Sequence, residues 1–290
     1  MAARILIATD LSEASNEGLR QAARYTDAAL ALVHVMPNLL DMQPLFPQGT
    51  GANPTHATEL EAKVLAALEE SARNITSKAL EIFLEQGDPS ERVADRAKAW
   101  NAELVVVGSH GRTGLARVLL GSVAESLAKE SPCSVLVARP HAAGPVLVAT
   151  DLSEASRPLL SVGAREAQRR GTKLHVVHVV DHVLADFASS ALAQFVGVLP
   201  PYVGDELLRE TREAAKNDID ATLQGLSLQA DVEIIDGSAA SAIARHASKL
   251  GAELLVVGAH GKTGARDLVL GTVTSRVLRS AESSVLVVRA

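Results

Sequence analysis

Leu104-Val105-Val106-Val107-Gly108-Ser109-His110-Gly111, followed after nine residues by Gly121-Ser122, is an apolar run closed by glycine and then a glycine-spaced loop. A short Leu/Val run bounded by Gly reads as a buried parallel strand. Val123–Lys129 has helical composition, and Ser122-Val123-Ala124-Glu125 reads as a capping box opening that helix. The loop thus joins a strand to a helix, the place where open α/β sheets bind ligands. Glycines let backbone N–H groups approach a ligand with no Cβ in the way. A helix N-terminus adds unpaired N–H groups and partial positive charge. This chemistry favours an anion such as a phosphate.

The pattern occurs twice. Leu254–Gly258 runs into Gly258-Ala259-His260-Gly261, and nine residues later come Gly271-Thr272. Over Glu103–Val123 and Glu253–Val273, 12 of 21 positions are identical. Thr9-Asp10-Leu11-Ser12-Glu13-Ala14-Ser15 recurs letter for letter as Thr150–Ser156, and Ser134–Arg139 (SVLVAR) recurs as Ser284–Arg289 (SVLVVR). The offset between copies is 141 at Asp10, 144 at Val35 and 150 from Gly87 onward. The 290 residues therefore read as two tandem domains, 1–140 and 144–290, joined by His141-Ala142-Ala143-Gly144, each large enough to bury its own core.

Taken in order, the first half predicts strands at Arg4–Thr9, Ala29–Val35, Ala79–Leu84, Leu104–Gly108 and Ser134–Arg139. Helices are expected over Glu13–Tyr25, Ala57–Ile75 and Ser90–Trp100, the last capped by Ser90. Met36–His56, with four prolines and two glycines, reads as a long loop. The second half repeats the order. Its strands are Val146–Thr150, Lys173–Val180, Val232–Asp236, Leu254–Gly258 and Val285–Arg289; its helices are Glu154–Arg170, Asp205–Leu223, Ala239–Leu250 and Thr272–Ser280. Alternating strands and helices give an α/β fold: two tandem doubly wound domains with helices on both faces of a parallel sheet.

Composition excludes several classes. A formal net charge of -6 with 2% aromatic residues lacks the basic face or stacking aromatics of a nucleic-acid binder. No run reaches 18 apolar residues, so no transmembrane helix is expected and no membrane partner. One cysteine, Cys133, cannot form an internal disulfide, which suits a reducing cytoplasm. The N-terminus enters a strand without the apolar segment of a signal peptide.

A strand ending in Asp, a second ending in His-Val, the spacing Gly-x2-Gly-x9-Gly-Ser/Thr and a final Val-rich strand together resemble the universal stress protein family. The resemblance covers essentially the whole chain, as two tandem copies. It implies a five-stranded parallel sheet in each half and an adenine nucleotide, ATP, ADP or AMP, with Mg²⁺ as its companion ion. It places Asp10 and Val35 near ribose and adenine, and Gly108, Gly111, Gly121 and Ser122 around the phosphates. In the second half the matching residues are Asp151, Val179, Gly258, Gly261, Gly271 and Thr272. Single-domain members dimerise through the last strand. The expectation here is an internal pseudo-dimer through Ser134–Arg139 and Ser284–Arg289, with a homodimer as a further option and the protein partner unidentified.

Each site residue also has a plainer reading. The glycines could serve a tight connection, Asp10 and Asp151 could cap the next helix, and Val35 and Val179 could be core. Gly261-Lys262-Thr263 fails as the end of a P-loop, because that motif needs glycine where Val256 stands. Arg112 and Lys262 occupy matching positions near the phosphates or in solvent. His110 and His260, inside the loops, fit loop-holding donors better than catalysts. His175 and His178 fall on opposite faces of a strand, so a shared metal site with His182 is not expected. No catalytic residue is assigned, since no second carboxylate recurs beside the loops. The resulting expectation is a stress-response regulator that holds ATP rather than rapidly hydrolysing it. The alternatives are a slow ATPase or nucleotidyl-transfer enzyme, and a structural tandem module with empty sites.

Overall fold

A computed structural model describes residues 3–37, 54–111, 120–180, 203–261 and 270–289. Most of the Pro-rich loop, Arg112, Lys262 and His182 lie outside the described residues. The chain separates into two compact units, Met1–Pro140 and His141–Val288.

In unit 1 the strands are β1 (Arg4–Ala8), β2 (Ala29–Met36), β3 (Glu81–Gln86), β4 (Leu104–Gly108) and β5 (Ser134–Ala138). They are parallel throughout, in the order β3-β2-β1-β4-β5. The three central strands explain the apolar runs. Ile5, Leu6, Ile7, Leu32, Val105 and Val106 are buried, as a sheet covered on both faces requires.

The covering helices are α1 (Glu13–Ala23), α2 (Pro54–Ile75), α3 (Pro89–Ala99) and α4 (Ser122–Glu130). α1 packs with α2, and α3 with α4. Right-handed crossovers put the first pair on one face and the second on the other. The winding direction reverses between β1 and β4, so their carboxyl ends open a crevice.

Unit 2 repeats this plan with β6 (Val146–Ala149), β7 (Leu174–Val180), β8 (Asp231–Asp236), β9 (Leu254–Gly258) and β10 (Ser284–Val288). Their order, β8-β7-β6-β9-β10, is the same parallel arrangement. Its helices are α5 (Arg157–Arg170), α6 (Val203–Gly225), α7 (Ala239–Leu250) and α8 (Thr272–Ser280).

Four local expectations change. α3 is capped by Asp88, whose carboxylate accepts from the N–H groups of Ser90 and Glu91, and not by Ser90. Pro89 takes the first helical position, where its missing N–H costs nothing. Ser122 is the first residue of α4 and its hydroxyl caps nothing; Gly121 is the cap residue, without a side-chain bond. β3 runs two residues later than expected, because its glutamates lie on a strand whose pattern burial does not dictate. Finally, Glu154–Arg170 is not one α-helix. Pro158 has no N–H for the Glu154 carbonyl, so Glu154–Ser156 forms a 3₁₀ turn before α5.

Candidate functional site

The first wall of the crevice is the turn after β1. Leu11 N–H donates to Thr9 Oγ1 (3.1 Å) and Ser12 N–H to Asp10 Oδ1 (3.0 Å). Ser15 Oγ donates to the Ser12 carbonyl (2.8 Å), so Thr9 Oγ1, 3.0 Å away, donates to Ser15 Oγ. Ser12 caps α1 by accepting from Ser15 N–H at 3.2 Å. The turn forces Leu11 into left-handed backbone, φ 63°. Unit 2 builds the same turn: Leu152 at φ 64°, its N–H on Thr150 Oγ1, and Ser153 N–H on Asp151 Oδ1 at 3.0 Å. The serines differ: Ser153 Oγ donates to Asp151 Oδ1 at 2.6 Å and caps no helix, where Ser12 caps α1.

β2 supplies the second wall. His34 Nδ1 stands 2.7 Å from the Thr9 carbonyl, and His178 Nδ1 stands 2.8 Å from that of Thr150. A carbonyl only accepts, so each ring carries a proton on Nδ1. The histidine of each His-Val pair thus ties β2 or β7 to the strand end that presents the aspartate.

The glycine loop closes the site. Gly121 N–H donates to the Ser109 carbonyl at 2.7 Å, and Gly271 N–H to that of Ala259 at 2.8 Å. A Cβ on Gly121 or Gly271 would lie 3.3 Å from the same carbonyl oxygen, tighter than side chains normally pack. At Gly111 a Cβ would meet Asp10 Oδ2 at 2.8 Å; at Gly261 it would meet Asp151 Oδ2 at 3.3 Å. Gly108 has a different reason. A Cβ there would stand 2.7 Å from the Ala14 carbonyl, because the start of α1 crosses directly over it. Its glycine is required by packing whether or not a ligand binds.

Asp10, Val35, Gly108, Gly111, Gly121 and Ser122 all line one crevice of about 340 Å³ in unit 1. That volume lies within the range of small-molecule sites. Thr9, Ser15, His34, Pro89, Val93 and His110 line it as well. Sequence reasoning missed Thr9, Ser15 and His34 as contributors to the site, although the letter-for-letter repeat of residues 9–15 and the two His-Val pairs carried that signal. In unit 2, Asp151 follows β6, Val179 lies in β7, Gly258 ends β9, Gly261 stands against Asp151, and Gly271 and Thr272 begin α8.

Charge at the site is set by few groups. Asp10 is the one carboxylate among the described residues lining the crevice. Neither α4 nor α8 has a side-chain cap, whereas Ser12 and Asp88 cap α1 and α3. The first-turn N–H groups of α4 and α8 thus receive no side-chain cap, and such helix starts suit an anion. Fitness for a phosphate-bearing ligand rests on these uncapped ends and on loops whose glycines leave no room for a Cβ. His175 faces Asp231 at 3.5 Å while His178 holds Thr150, so these two histidines serve different partners. Among the described residues no group of three or more His, Cys, Asp or Glu is arranged to hold a metal ion, and no helix is long and apolar enough to cross a membrane.

Comparison with known proteins gives consistent matches. The model of the universal stress protein family matches residues 1–139 and again 143–289. A universal stress protein of Mycolicibacterium smegmatis is 31% identical over 98% of this chain and 96% of its own length. Two solved structures share the fold across 99% of the chain. One, of a functionally unknown protein from Pseudomonas aeruginosa, aligns with a TM-score of 0.67 at 19% identity over 92% of that protein. The other, a universal stress protein from Archaeoglobus fulgidus, aligns with a TM-score of 0.66 at 19% identity over 98% of that protein.

Proposed function

Since the chain belongs to the universal stress protein family, we propose that it is an ATP-binding regulatory protein that holds its nucleotide rather than rapidly hydrolysing it. The observation that carries this reading is the convergence of six motif residues on one crevice at the sheet's switch point. Asp10 and Val35 would receive ribose and adenine. The amides around Gly111 and Gly121, with Ser122, would receive the phosphates, and any Mg²⁺ would arrive with the nucleotide. Asp151, Val179, Gly258, Gly261, Gly271 and Thr272 would do the same in unit 2, giving two sites per chain.

The groups described along the crevice support slow turnover. Phosphoryl transfer needs a group that orients the attacking water, together with cationic charge at the leaving oxygen. Asp10, committed to the turn after β1 through Ser12, is assigned to the ribose end. A protein of this kind, working in the cytoplasm, would report nucleotide level through its shape or its partner affinity.

Two measurements test the reading. Calorimetric titration of the full chain with ATP is expected to give two sites; one site or none would count against it. Phosphate release under single-turnover conditions with Mg²⁺ should be far slower than about 1 per second, an ordinary enzymatic rate. A rate of that order that vanished in the Asp10→Asn/Asp151→Asn double variant would make the protein an ATPase.

A further inference from the structure

The two loops differ at a single position between their first glycine and the histidine: Ser109 in unit 1 is Ala259 in unit 2, while His110 and His260 correspond. Ser109 is 3% exposed, and its Oγ stands 2.9 Å from His110 Nδ1. Its backbone is fixed on both sides. The N–H donates to the Ala138 carbonyl at 3.1 Å, and the carbonyl accepts from Gly121. The hydroxyl that holds the ring is therefore itself held. His110 lines the crevice. Ala259 is as buried, at 2%, but has no hydroxyl, and His260 is exposed.

We propose that Ser109 is a positioning residue that turns His110 into a specificity determinant of the unit 1 site. In this assignment the hydroxyl donates to Nδ1. The neutral ring then carries its proton on Nε2 and offers it to a phosphate oxygen of the nucleotide. An imidazole that accepts at one nitrogen donates at the other, and a donor to an anion binds more strongly than one to a neutral acceptor. Backbone amides serve both loops alike and both loops carry the histidine, so a ring held by a hydroxyl in one loop only makes the two sites unequal toward the phosphate end of the ligand. The inference rests on the nucleotide reading above and adds to it which site grips phosphate harder, and through which atom.

The test uses the full chain with one site live at a time. Gly261→Val leaves unit 1 to report and Gly111→Val leaves unit 2, each titrated with ATP and with adenosine. Ser109→Ala is expected to weaken ATP at unit 1, by up to about tenfold, the equivalent of one hydrogen bond to a charged group, and to leave adenosine unchanged. Ala259→Ser should strengthen ATP at unit 2. Each of these places in one unit the residue the other already carries, and thermal unfolding of both variants checks that the fold is kept. Nitrogen-15 NMR of the histidine rings, in the chain with both loops intact, should show His110 as a single Nε2–H tautomer that becomes a mixture in Ser109→Ala. Unchanged ATP affinity in Ser109→Ala, equal losses for ATP and adenosine, or a His110 signal that ignores the substitution would each overturn the assignment. Binding of ATP at neither site would instead overturn the nucleotide reading, and this assignment with it.

Discussion

Leu11 and Leu152 sit in left-handed backbone, a conformation that costs a bulky L-residue roughly 1–2 kcal/mol. The turn tolerates it because three side-chain bonds around it are made at once. Asparagine enters this region readily and a β-branched residue does not. Leu11→Asn should therefore keep most of the stability of unit 1, while Leu11→Val loses on the order of 1 kcal/mol more; urea titration of the two variants gives the order. A second residue-scale expectation concerns the loop glycines. The Cβ of Gly111→Ala would intrude on the Asp10 carboxylate at 2.8 Å, that of Gly261→Ala on Asp151 at 3.3 Å. Alanine should thus weaken ATP binding more at unit 1 than at unit 2, and calorimetry on each variant would show whether it does. The positions of these glycines were legible from spacing alone. Their reasons were not: Gly108 answers to α1 crossing above it, a contact between residues nearly a hundred positions apart that no local pattern encodes.

At the scale of elements, strands and helices followed from periodicity, and only some of their ends did. β4, β9, α7 and α8 match the sequence reading residue for residue; a glycine closes β4 and β9, follows α7 and precedes α8. α3 does not. Ser90 and Asp88 are both good cap residues, and only the geometry selects Asp88. Asp88→Ala should cost about 1 kcal/mol, and Ser90→Ala clearly less, read from the same denaturation curves. The Ser90 hydroxyl, followed by the Glu91 and Ser90 N–H groups, holds the Asp88 carboxyl below its ordinary value of 3.8. The cap's contribution is then complete above that value and lost as pH falls through the lowered folded one. In the wild type, acid should loosen α3 where Asp88→Ala shows no such step. Pro158 gave a clear signal that was underused: a residue without N–H four positions into an expected helix marks where the first turn must tighten.

For the molecule as a whole, the two units share a plan but not an interior. Arg170, 1% exposed in unit 2, pairs with buried Glu166, and its Nε lies 3.5 Å from buried Glu253. In unit 1 the counterpart of Glu253 is Glu103, which is exposed. Arg169 also pairs with Glu166, so loss of Arg170 removes part of a buried ionic group, at up to about 3–5 kcal/mol. Arg170→Ala should move the unfolding transition of unit 2 down by that amount and leave that of unit 1 in place. ATP at about 100 times its dissociation constant should raise each unit by roughly 2.7 kcal/mol. In Gly111→Val that rise should survive in unit 2 alone, as a calorimetric scan resolves.

The uncapped starts of α4 and α8 carry one more consequence, and it concerns inheritance. A loop that grips by its amides can be ruined at only a handful of codons, those for its glycines. A neighbouring position can differ and alter only how tightly the loop holds, as Ser109 and Ala259 differ here. On the nucleotide reading proposed above, a chain of this design would carry the same receptor twice with two sensitivities. One polypeptide would then answer at two different levels of a single metabolite.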